Sequence, residues 1–140
     1  MRPLLKATRL LTRDQRELRA QFRRMVFNVL AHNRDDHTRN HAFMMDREGR
    51  WRLAPAYDLT FAQGPGGEHS MSVGGEGRDP DEAAMRRCAD HVGLPRGDVD
   101  EALGSVREAL EGWDRIADDA GVTAGTRRRL GRVMGGEMAF

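Results

Sequence analysis

The chain has 140 residues, 39% hydrophobic and 32% charged, with 23 basic against 22 acidic side chains. That balance describes a polar globular domain. It excludes collagen-like and wholly disordered chains, and no run approaches the roughly 20 apolar residues that span a bilayer. The lone Cys88 excludes an internal disulfide framework and a CxxC zinc ribbon. The N-terminal apolar run is too short for a signal peptide, so the expected address is cytoplasmic, with no membrane contact. Charge is uneven along the chain. Residues 1–40 carry ten Arg/Lys and four Asp/Glu, while residues 79–119 carry five Arg and twelve Asp/Glu. Such asymmetry predicts a basic face and an acidic face.

In chain order, Thr12-Arg13-Asp14-Gln15 has capping-box spacing. Leu18, Phe22, Met25, Val26, Val29 and Leu30 follow at spacings of three and four, which predicts a helix ending near His32. A short hairpin is expected at about 41–54, with its turn at Asp46-Arg47-Glu48-Gly49-Arg50 and Pro55 after it. Residues 60–80 hold six glycines and read as a mobile, irregular loop. Asp79-Pro80 then predicts a helix start, with the helix running to Val92 and stopped by Gly93. Further helices are expected over about 98–120, stopped by Gly121, and over 124–134. Met25, Met44, Met45 and Met85 are expected in core positions, with Trp51 packing the hairpin on the first helix. Trp113 should pack the C-terminal helices together, and Cys88 should be buried. The fold class is mainly α with a small β-hairpin, in one domain over 1–140 that contains the loop at 60–80.

The densest polar segment is Asn33-Arg34-Asp35-Asp36-His37-Thr38-Arg39-Asn40-His41, between the long helix and the hairpin. Asp35 and Asn40 have the Asp-x-x-x-x-Asn spacing of a phosphoryl-transfer loop, where the Asp meets the attacking hydroxyl and the Asn meets Mg²⁺. Asp58 follows the hairpin as a second oxygen ligand, and hard Mg²⁺ prefers such donors. The same acidic residues also suit helix or turn caps. A zinc-hydrolase reading through His32, His37 and His41 with Asp35 or Asp36 is the metal alternative, though without an HExxH pattern.

The run Asn33–His41, followed by Trp51-Arg52-Leu53-Ala54-Pro55-Ala56-Tyr57-Asp58-Leu59, resembles the C-terminal domain of HipA-family serine/threonine kinases. These are toxins of bacterial type II toxin–antitoxin pairs, and the resemblance implies the helical C-lobe of a protein-kinase-like fold. It implies Asp35 as catalytic residue, with His37 and Arg39 in the same loop. It assigns Asn40 and Asp58 to Mg²⁺ and, with Tyr57, to the nucleotide side. Arg39 stands where members often have Lys. The implied substrates are ATP and a protein, and the implied partner is a HipB-like antitoxin and, through it, DNA; the basic run Arg127, Arg128, Arg129 and Arg132 reads as a phosphate contact in such a complex or as a solvated helix face. No phosphate-covering glycine loop or strand lysine precedes Asp35, so the expectation is a C-lobe alone: a fragment, a truncated reading frame, or one half of a split pair whose separately encoded N-lobe is a further partner. The rival reading is an interaction module without catalysis of its own.

Overall fold

The computed structural model describes residues 1–136, with side chains to residue 134. Helix α1 (Arg2–Thr12) was not among the expected elements; it buries Leu5 and Thr8 and ends at Arg13, which takes a left-handed conformation (φ 52°). Helix α2 (Gln15–Leu30) begins later than the capping-box spacing suggests. Its cap is Asp14, whose side chain accepts from the Arg16 amide at 2.8 Å. Thr12 belongs to α1, where its hydroxyl donates back to the Thr8 carbonyl at 2.8 Å.

The hairpin pairs β1 (Phe43–Met45) with β2 (Trp51–Leu53) in antiparallel register, Phe43 opposite Leu53 and Met45 opposite Trp51. Its turn closes as expected: the Asp46 carboxylate accepts from the Glu48 and Arg50 amides, and Gly49 supplies φ 79°. Only Leu53 of the two strands is buried. Met44, Met45 and Trp51 are exposed, against the expectation that they pack inward. So short a ribbon is held at its base and projects its tip beyond the core.

The loop at 60–80 is irregular as expected, but it is anchored: His69, Val73 and Pro80 are buried within it. Gly74 lies against α3 (Glu82–His91), and its amide donates to Cys88 Sγ at 3.1 Å. Pro80 packs inward, so the cap of α3 is Asp81 and not Asp79. Gly93 ends the helix at φ 65°, as the sequence predicts. The helix expected over 98–120 is two, α4 (Arg96–Glu111) and α5 (Trp113–Asp119), broken at Gly112. Helix α6 (Ala124–Gly136) returns against them, and Trp113 Nε1 donates to the Arg127 carbonyl at 3.1 Å.

One core gathers Leu5, Phe22, Met25, Met85, Cys88 and Leu103 from α1–α4. A smaller one places Ala31, Leu130 and Met134 beside Trp113 and Phe61. The stripe of α2 therefore does what its period implies, and each fully buried large side chain contributes about 1.5–3 kcal/mol. Phe22→Ala should cost about 3–5 kcal/mol in urea unfolding, while Leu10→Ala, at a residue 64% exposed, should fall within about 0.5 kcal/mol of the parent. Gly74→Ala should also destabilise, because its methyl group would meet the Ala84 carbonyl oxygen at 2.5 Å at a φ of +62°.

Candidate functional site

The site is built from the face of α2 that does not enter the apolar core. Glu17, Gln21, Arg24 and Asn28 recur at spacings of four, three and four, so they lie on one side of the helix. Each binds the chain that follows. The Glu17 carboxylate accepts from the Leu53 amide at 2.8 Å, and Arg24 Nη2 donates to the Ala54 carbonyl at 2.7 Å. Gln21 Nε2 and His41 Nδ1 are 3.2 Å apart. Asn28 Oδ1 accepts from Asn33 Nδ2 at 3.1 Å, and the Asn28 carbonyl accepts from the Asn33 amide at 2.8 Å. Gln21, Asn28 and Asn33 are fully buried, where an unmade hydrogen bond costs about 1–3 kcal/mol. These bonds fix the loop 33–41 and the base of the hairpin to one rigid helix.

The segment after the hairpin is stitched to that loop. Asn33 Nδ2 also reaches the Asp58 carbonyl at 3.3 Å, and the Tyr57 hydroxyl donates to the Arg39 carbonyl at 2.7 Å. Arg34 N donates to the Ala62 carbonyl, and Ala62 N to that of His32, each at 3.1 Å. Asp58 itself sits at φ 53°, a left-handed conformation that Asp tolerates better than most residues. Its side chain is exposed, as is that of Asp35, and the two stand on neighbouring segments.

Asn40 Nδ2 donates to the Asp35 carbonyl at 3.0 Å. This use of the amide nitrogen leaves the side-chain oxygen of Asn40 as a ligand. The Asp58 carboxylate is exposed, and carboxylate and amide oxygens are the donor types that a hard divalent cation takes. His37 Nε2 lies 3.8 Å from Asp35 Oδ1, and the Arg39 side chain is exposed. The zinc alternative finds no support: among the described residues, no three His, Cys, Asp or Glu side chains assemble as metal ligands.

Asp36 behaves unlike Asp35. Its carboxylate is fully buried, 3.2 Å from His69 Nδ1, and accepts from the Met71 amide at 3.3 Å. Ser70 binds the Arg34 carbonyl through both its amide and its hydroxyl. The glycine-rich loop is thus pinned to the back of the loop 33–41. Sequence reasoning took Asp36 as a cap or a metal ligand and missed its burial against His69, as it missed the polar face of α2. The stripe at 17, 21, 24 and 28 was visible as a period, whereas nothing near His69 announces its distant partner.

Burial depresses the pKa of His41, and the Asp36 charge opposes this only in part. An unfolded chain therefore binds a proton that the folded His41 refuses. Stability linked to this group is present above the ordinary histidine value of 6.5 and is lost as pH falls below it. Urea unfolding at pH 7.5 and pH 5 should show a smaller acid loss in His41→Asn than in the parent. Equal losses would mean that His41 ionises freely in the fold.

Among the described residues, no helix is long and apolar enough to cross a membrane. Comparison with curated proteins and with solved structures finds no match. The family model of the HipA-like C-terminal domain matches residues 1–113, which include the whole loop 33–41, the hairpin and Asp58. The chain belongs to the HipA-like C-terminal domain family.

Proposed function

We propose that the chain is the C-lobe of an ATP-dependent serine/threonine protein kinase of the HipA toxin family, with the cytoplasm as its compartment. The observation that supports this reading is the stitching of the loop 33–40 to Tyr57-Asp58, through Asn33 to the Asp58 main-chain carbonyl and the Tyr57 hydroxyl to the Arg39 carbonyl. Asp35 accepts the proton of a serine or threonine hydroxyl as its oxygen bonds to the γ-phosphorus and the bridging bond to ADP breaks. His37 orients the Asp35 carboxylate. Asn40 and Asp58 are the residues that would hold Mg²⁺, which would supply neutralisation of the phosphate charge. Tyr57 fixes the backbone at Arg39, whose guanidinium faces the same anionic substrate.

Exposed Met44, Met45 and Trp51 on the hairpin favour a partner that covers them, and a separately encoded N-lobe is the occupant this reading assigns. A HipB-like antitoxin, and DNA through it, belongs to the helical surface of α6. There Arg127 is already engaged by Asp114 and Asp118, leaving Arg128, Arg129 and Arg132 exposed for phosphates.

Residues 1–140 alone should bind Mg-ATP weakly and transfer labelled phosphate slowly or not at all. Adding the N-lobe should restore transfer, and Asp35→Asn or Asp58→Asn should then lower kcat by about 10³-fold or more. The Asn variant is the cleaner test at position 58, since Ala at φ 53° adds backbone strain of about 1 kcal/mol. Strong transfer by the isolated chain would refute its incompleteness, and activity that survives Asp35→Asn would refute the catalytic assignment.

A further inference from the structure

Arg34 fills the position that the Asn-x-Asp pattern leaves open, and its side chain is only 16% exposed. Its Nη2 meets Asp79 Oδ1 at 3.0 Å, and its Nε is buried without a partner among the described residues. Arg78 Nη2 meets Glu68 Oε1 at 3.3 Å. The remaining Nη1 atoms of both arginines turn to one glycine. A methyl group on Gly67 would stand 3.5 Å from Arg78 Nη1 and 3.8 Å from Arg34 Nη1.

The backbone holds this arrangement open. Gly66 and Gly67 adopt φ 64° and 75°, and a side chain at Gly66 would meet nothing within 4 Å. Gly64 is locked against Arg34, since any Cβ there would lie 2.7 Å from Arg34 Cβ and 2.2 Å from the Glu68 carbonyl oxygen. Arg34, His32, Gln63 and these glycines line a cavity of about 420 Å³.

We propose that Arg34 and Arg78, over the turn Gly64–Gly67, form an anion site that takes a phosphate dianion, separate from Asp35, Asn40 and Asp58. Two guanidiniums brought to one glycine repel each other. Their present partners, Asp79 and Glu68, are 73% and 55% exposed, so solvent weakens both pairs. A tetrahedral dianion between two forks accepts several charge-assisted hydrogen bonds and cancels that repulsion. The glycines leave room for whatever carries the phosphate. The carrier is free phosphate, a phosphorylated serine or the terminal phosphate of a nucleotide, which share this chemistry.

The test is calorimetric titration of the chain with inorganic phosphate, a phosphoserine peptide and ATP. EDTA is present so that magnesium-dependent binding is silent, and ionic strength is held constant with chloride. Saturable binding is expected, weakened about tenfold or more in Arg78→Gln and tightened in Asp79→Asn, which removes a competing carboxylate. Arg78 is 60% exposed, so its variant keeps the fold, as far-UV circular dichroism will verify. A preference for the peptide assigns a protein-borne phosphate, a preference for ATP a nucleotide, and equal affinities the free anion. No saturable binding in any arm, or affinity unchanged in Arg78→Gln, overturns the site. Neither result depends on phosphoryl transfer, so the site and the kinase reading stand or fall separately.

Discussion

The polar face of α2 is the constraint on which the rest of the structure depends. One side of this helix enters the apolar core through Leu18, Phe22, Met25 and Val26, which sets its position and rotation. The other side carries Glu17, Gln21, Arg24 and Asn28, and each binds a different point of the chain between Asn33 and Ala54. The apolar and polar contacts are coupled, because rotating the helix to improve one set breaks the other. A loop of nine polar residues has little reason to hold one shape in water. Here its backbone follows a helix that the hydrophobic effect has already fixed.

Asp35 and Asp36 show how environment divides two identical side chains. Asp35 stays in solvent with its carboxylate available. Asp36 turns inward to His69 and the Met71 amide, and spends its oxygens on anchoring the glycine-rich loop. A buried carboxylate is tolerable only with such partners, so the loop and Asp36 require each other. The glycines at 64, 66, 67 and 74 then serve geometry: they allow left-handed backbone and close approach, to Arg34 on one side and to α3 on the other.

Some of the charge in this molecule is paired across elements. The basic N-terminal segment and the acidic segment at 79–119 meet where Arg19 of α2 faces Asp98 of α4 at 3.2 Å. Glu82 of α3 receives both Arg86 and Arg107. Exposed pairs of this kind contribute little to stability, about 0–1 kcal/mol each, but they disfavour other packings of the same helices. The uneven charge of the sequence therefore appears in part as contacts between helices, not only as two solvated faces.

Local physics was sufficient for much of this fold. The period of α2, the Asp46–Gly49 turn, the stop at Gly93, the burial of Cys88 and the packing of Trp113 all follow from residues close in sequence, through spacing, turn chemistry and apolar area. The family, too, was legible, because Asn33–His41 and Trp51–Leu59 are contiguous runs. Tertiary structure decided what depends on distant partners. Thr12 or Asp14 as cap turned on where α1 ended, and Pro80 lies buried just before the helix, which Asp81 caps instead. Met44, Met45 and Trp51 look like core residues until the hairpin is seen to project. His69 paired with Asp36, and Arg34 with Arg78 over Gly67, are separated by 33 and 44 positions. No local preference encodes such contacts, since they exist only once the core has set the helices and closed the loop between them.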